Sequence, residues 1–204
     1  MGVSWYGAMS FSRWLNEKWS LANFLPENLT VILPSETEWE KAARGGETLP
    51  KKPVIKSIEE IAEQLSVPMK PNGQPERIYP WGDAPDKNRS NVEESDINST
   101  SAAGCFPKGQ SPYGCEEMSG NVFEWTLSLY DGHTCDPRID WKNISKIAPH
   151  SLVVFRGGHF GSTKKEVAAR IATGTFGTST SSAGTSAFEW RSPHFPLISE
   201  ASGL

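Results

Sequence analysis

An α+β fold is what this sequence predicts, with helices gathered at the front and short strands behind. Three observations lead there. Helical periodicity is confined to the stretch before residue 68, and turn-forming residues crowd the chain after Tyr79. The third is composition: 8 Trp, 18 Gly and 15 Pro accompany an apolar content of only 37%. Such a chain suits long loops pinned by aromatic anchors better than stacked layers of regular structure. The 204 residues fit one domain, 1–204, and no repeat or linker divides them.

The first predicted helix lies in "VSWYGAMSFSRWLNEK", with Ser4 as N-cap and Ala8, Phe11 and Leu15 on one face. The second lies in "LPSETEWEKAARGG". There Ser35 and Glu38 form a capping box, Trp39, Ala42 and Ala43 supply the buried side, and Gly45-Gly46 end the helix. The third, in "KSIEEIAEQLSVP", is capped by Ser57 and Glu60, presents Ile58, Ile61, Ala62 and Leu65, and stops at Pro68. It belongs to a Lys- and Pro-rich segment, residues 47–76, that reads as a surface insertion. Strands are predicted near Val122–Leu127 and Leu152–Phe155. Residues 173–187, "TGTFGTSTSSAGTSA", read as a loop, either a plain mobile one or a binding one.

Charge and cysteine usage exclude several classes. A net charge of -4 gives no footing for nucleic acid or an anionic membrane as partner. Three cysteines, at 105, 115 and 135, with no CxxC spacing, do not make a disulfide scaffold. No apolar run has membrane-spanning length, and the first residues lack the pattern of a signal peptide, so a cytoplasmic location is expected.

Six stretches in order, "VSWYGAMSFSRWL", "LPSETEWEKAARGG", "YPWGD", "SPYGCEEMSGNVFEWT", "FRGGHF" and "AAR", resemble the formylglycine-generating enzymes, or sulfatase-modifying factors. The wording is most similar to bacterial, particularly cyanobacterial, members. The resemblance implies the formylglycine-generating-enzyme variant of the C-type lectin fold, with little regular secondary structure. Members carry a substantial segment before the "VSW" motif, so the chain is expected to be an N-terminally truncated form or a fragment. Oxidase members bind Cu(I) through two cysteines between the Arg-Gly-Gly and Ala-Ala-Arg motifs. Here that interval reads "RGGHFGSTKKEVAAR", with Ser162 near the first thiol's place and no cysteine after Cys135. A hydroxyl does not replace a thiolate for a soft ion, so copper is not expected.

The same resemblance implies a calcium site in "EMSGNVFEWT". Glu117 and Glu124 would offer side-chain oxygens, and Gly120 and Val122 backbone carbonyls, a donor set that suits a hard cation. The alternative is a capped turn without an ion. A weaker calcium candidate comprises Asn91, the Val92 carbonyl and Asp96. Both would be structural. The four histidines show no metal-binding spacing, so iron is not expected. Cys105 and Cys115 read as packing residues without a catalytic role.

Two functions of different class follow. One is a non-catalytic domain that binds a protein or small ligand, through a surface of His159, Ser162, Phe176, Phe188 and Trp190. Trp190 also reads as a replacement for the family's buried Phe. Retroelements that diversify proteins use this scaffold and vary its segment after the Arg-Gly-Gly motif, the part that departs most here. The other is a formylglycine-generating or related oxidase acting on a sulfatase cysteine. The missing thiol pair favours the first.

Overall fold

Ser4 opens the first helix, its side chain accepting from the Gly7 amide at 3.2 Å. In the computed structural model, which describes residues 2–55, 57, 60, 67–130, 135–136, 151–162, 175–178 and 198–200, α1 runs Trp5–Leu21. Its buried face is Trp5, Ala8, Met9 and Ser12, so the predicted stripe is rotated. Phe11 is 39% exposed and tilts against Trp14 on the outside. Of the predicted face Ala8 is buried, while Trp5, Met9 and Ser12 face inward in place of Phe11 and Leu15. Ala8 and Ser12 are small enough for close approach, and the Ser12 hydroxyl is satisfied by the Ala8 carbonyl at 3.0 Å.

Two indoles then fasten the helix to a strand more than a hundred residues away. Trp5 Nε1 donates to the Thr126 carbonyl at 2.8 Å, and Trp125 Nε1 donates back to the Val3 carbonyl at 2.9 Å. Buried indole N–H groups need such acceptors. Around them pack Met9, Leu33, Leu127, Val153 and Phe155, the main core.

The short strand β1 (Leu29–Val31) leads to α2 (Glu36–Arg44). The Ser35–Glu38 capping box is present in both directions, and Trp39 and Ala43 are buried as expected. The segment read as an insertion is anchored at its root by a two-stranded ribbon, β2 (Thr48–Pro50) against β3 (Met69–Pro71). Of the third predicted helix only the cap lies within the described residues, the Ser57 amide donating to Glu60 Oε2 at 3.1 Å.

Beyond Tyr79 the chain is turns and loops until β4 (Glu124–Tyr130). That strand sits in a four-stranded antiparallel sheet with β5 (Cys135–Asp136), β6 (Leu152–Arg156) and β7 (Thr175–Thr178), ordered β5-β4-β6-β7. Strand β7 corrects the prediction of a loop over 173–187: backbone from 175 to 178 pairs with Leu152–Phe155. The small hydroxylated residues hid it, because composition registers side chains and a ladder needs only backbone. A register shift between Trp125 and Leu129 frees the Leu127 amide to donate to the Pro34 carbonyl at 2.7 Å. Finally β8 (Ile198–Glu200) pairs antiparallel with β1. Among the described residues no helix is long and apolar enough to cross a membrane.

Candidate functional site

The segment before β4 is wound by three successive departures from ordinary backbone. Glu117, Gly120 and Asn121 have φ of 58°, 80° and 63°. Non-glycine residues in that region are uncommon and need outside support. It comes from the Gly120 amide donating to the Gly157 carbonyl at 2.8 Å and the Asn121 amide to the Asn91 carbonyl at 2.7 Å. Asn121 Oδ1 also accepts from the Ser101 amide at 2.9 Å, tying in a third loop.

This winding turns two acids inward. Both carboxylate oxygens of Glu117 are sealed from solvent and have no hydrogen-bond partner among the described residues. The Gly104 amide is near enough to offset the penalty in part, yet outside hydrogen-bond geometry. Burial, with the neighbouring Glu116 charge, pushes the Glu117 carboxyl up to about 7. Glu124 is also pushed up to about 7 by burial, and the Glu117 charge adds to the rise against the opposing hydrogen bond from Trp39 Nε1. Two half-buried acids that repel each other, one with no donor among the described residues, make a site short of positive charge.

The weaker candidate is arranged differently. Asn91 is fully buried, and its Nδ2 donates to the Ser99 carbonyl at 2.8 Å. The hydroxyl of Ser95 lies 2.6 Å from the Val92 carbonyl and 3.3 Å from Asn91 Oδ1, between the two expected ligands. Asp96 is exposed and accepts from Asn98 Nδ2 at 3.0 Å. Ser95 thus stands where a cation would draw these oxygens together. Among the described residues no group of three or more His, Cys, Asp or Glu side chains converges. Any cation at either place therefore depends on carbonyl or amide oxygens as well.

The predicted binding surface is only partly within the described residues. His159 is half-buried, tilted against Phe123 with centroids 4.9 Å apart, and its Nδ1 accepts from the Gly161 amide at 3.0 Å. Ser162 is not on a surface: it is 2% exposed, and its hydroxyl accepts from the His159 amide at 3.2 Å. The hydroxyl closes the turn that a Gly-Ser pair invites, which is why it faces inward. Phe176 has its backbone in β7 opposite Val154. Its side chain, with Phe188 and Trp190, lies outside the described residues.

Two further side chains surround it: Trp39 from the predicted buried face of α2, and Arg156, whose five fixed donors lead the sequence reading to expect a tie to carbonyls or carboxylates. Trp39, from α2, donates to Glu124 across 85 positions. Arg156, at the end of β6, meets Glu36 at 2.6 Å and Glu40 at 3.5 Å and lies 5.9 Å from the Trp39 ring centre. No local signal in "ETEWEK" announces either contact, although an Arg preceding Gly-Gly was a plain hint of a buried tie. Cys115 packs beside Trp39, Ala43 and Met118, and burial pushes its thiol up to about 11. Cys105 departs from the packing expectation and is exposed.

Comparison with known proteins agrees with this architecture. Residues 1–188 match the model of the sulfatase-modifying factor enzyme 1-like domain. A serine/threonine-protein kinase pkn1 of Chlamydia pneumoniae is 27% identical over 175 residues, covering 82% of this chain and 20% of the relative. The inactive C-alpha-formylglycine-generating enzyme 2 of Bos taurus is 29% identical over 147 residues, covering 67% and 35%. The chain therefore spans between a fifth and about a third of these relatives' lengths. The structure of PvdO from Pseudomonas aeruginosa superposes with a TM-score of 0.52 at 19% identity, over 87% of this chain and 55% of that one, a likeness of fold. With its ordered motifs, its aromatic-stapled core and a family match over residues 1–188, the chain belongs to the sulfatase-modifying factor enzyme 1-like domain family.

Proposed function

We propose that this domain is a non-catalytic binding module on the C-type lectin variant of its family's scaffold, with calcium as a structural ion. The observation that carries the reading is the turn after Arg156-Gly157-Gly158. Ser162, near the place of the oxidases' first thiol, is buried and already bonded to the His159 amide, and no cysteine follows Cys135. These residues do not fit Cu(I), which seeks thiolates, so no oxidative step is derived. The relative of Bos taurus whose name says inactive supports the idea that this scaffold persists without the oxidase chemistry.

The ligand is a protein or small molecule held beside His159 and the C-terminal segment that includes Phe176, Phe188 and Trp190. Diversification of that segment by a retroelement is the finer form of the proposal. An adjacent reverse transcriptase gene with a near-identical template repeat tests it. The direct test of the non-catalytic reading uses Cu(I)-loaded protein and a sulfatase-motif cysteine peptide. Mass spectrometry is expected to find no aldehyde above a metal blank, and turnover to aldehyde would overturn the reading.

For calcium, the residues fit. The Glu117 carboxylate, without a hydrogen-bond partner among the described residues, and the half-buried Glu124 are acids that a divalent cation would neutralise together. Glu117 and Glu124 would supply charge and Gly120 and Val122 neutral carbonyl oxygen. Bound there, the ion would join the loop to β4 and hold Glu124 under Trp39.

A further inference from the structure

The "YPWGD" turn, which the proposed function does not use, walls a separate cavity. Reciprocal backbone hydrogen bonds between Tyr79 and Gly82, at 2.8 and 3.0 Å, close the turn. Trp81 Nε1 donates to the Ala84 carbonyl at 2.9 Å, which fixes the indole. The Trp81 ring lies on Tyr79 with centroids 5.2 Å apart and planes only 10° apart. Beside the stacked pair is a cavity of about 210 Å³, whose wall also includes Asp86, Lys87, Ser90 and Glu94.

Two buried hydroxyl residues line it. Tyr79 is 3% exposed and Ser90 4%, and both residues line the cavity. A hydroxyl carries one donor and two acceptor positions, so the pair gives the cavity wall a polar component. Charge sets the sign of what enters. Of the charged residues that line it, Asp86 and Glu94 are acids and Lys87 is basic. Asp86 is kept ionised by the Asn88 amide at 2.9 Å and Arg89 Nε at 3.1 Å, and a carboxylate retains further acceptor positions. Lys87 opposes them, but it is exposed on a flexible stem.

Size narrows the ligand further. The volume falls below the roughly 300–1,000 Å³ of sites for drug-sized molecules, so it suits one side chain. A planar cation with several N–H donors meets an indole face and adds donors to two carboxylates at once, which a compact ammonium does less well. From this geometry we infer that the cavity receives a single arginine side chain of a partner polypeptide, its guanidinium against Trp81 and its N–H groups donating to Asp86 and Glu94.

The test is amide and indole NMR of the full chain titrated with N-acetyl-arginine amide, and with N-acetyl-citrulline amide as the uncharged counterpart. Saturable shifts are expected at the Trp81 indole and the Ser90 amide, with citrulline weaker by roughly tenfold or more. Trp81→Ala should remove the response. Glu94→Gln, a change at a partly exposed acid, should weaken it severalfold. Equal responses to the two probes, shifts confined to other regions, or no shift would each overturn the inference. The site does not depend on the Arg-Gly-Gly turn: His159→Ala should leave the arginine response intact, so failure here and failure of the proposed function are separable.

Discussion

At Gly120 a Cβ would stand 2.2 Å from the Asn91 carbonyl oxygen, and the backbone is already at φ +80°. Gly120→Ala should therefore lose at least about 2 kcal/mol from strain and forced displacement of the Asn91 loop. Gly73→Ala meets nothing within 4 Å and serves as the neutral control in the same denaturant series. The two inward acids make a different prediction. Glu117 and Glu124 both titrate near 7 when folded, above the usual carboxylate range. The folded state thus holds protons that the unfolded state releases. In chelator their contribution is full below about pH 4.3 and is lost as pH rises through 7. Calcium should reverse that loss near neutral pH, by about 2.7 kcal/mol at a hundredfold excess over its dissociation constant. Glu124→Gln should flatten the pH profile and erase the calcium response. Melting curves of the native chain that superimpose with and without calcium would remove the ion from the account.

Among the elements, α2 depends on both its cap and its underside. Ser35 Oγ accepts from the Glu38 amide and Glu38 Oε2 accepts from the Ser35 amide at 2.7 Å, so Ser35→Ala should cost about 1 kcal/mol. Arg156 fixes the same helix to β6. Its side chain is 5% exposed and pairs with Glu36, which is 12% exposed. Removing one member leaves a buried charge, so Arg156→Ala should cost about 3–5 kcal/mol in urea unfolding. An effect as small as that of Ser35→Ala would show that water compensates Glu36.

For the whole molecule, the distinctive pairing is β1 with β8, which brings residues 29–31 to residues 198–200. The Val31 amide is engaged by Asn16 Oδ1 at 2.9 Å, and the Leu29 amide by the Pro26 carbonyl at 2.9 Å. Thr30, opposite Ser199, is left to pair with β8. Deleting residues 198–204 should speed hydrogen exchange at the Thr30 amide while leaving Val31 protected. Equal protection of Thr30 in both chains would separate the two strands.

What was legible in the sequence is what short-range physics controls. The Ser4 and Ser35 caps and the Trp39–Ala43 face of α2 each depend on neighbours within one or two turns of chain. The ordered motifs, resembling a known family, also singled out Glu117 and Glu124 as candidates. The rotated face of α1, the strand hidden in a Gly-Thr-Ser segment and the inward turn of Ser162 were decided by tertiary structure alone. So was the meeting of Trp39 with Glu124. Each depends on a partner far along the chain, and sequence spacing carries no record of whether a carboxylate will meet water, an indole or another carboxylate.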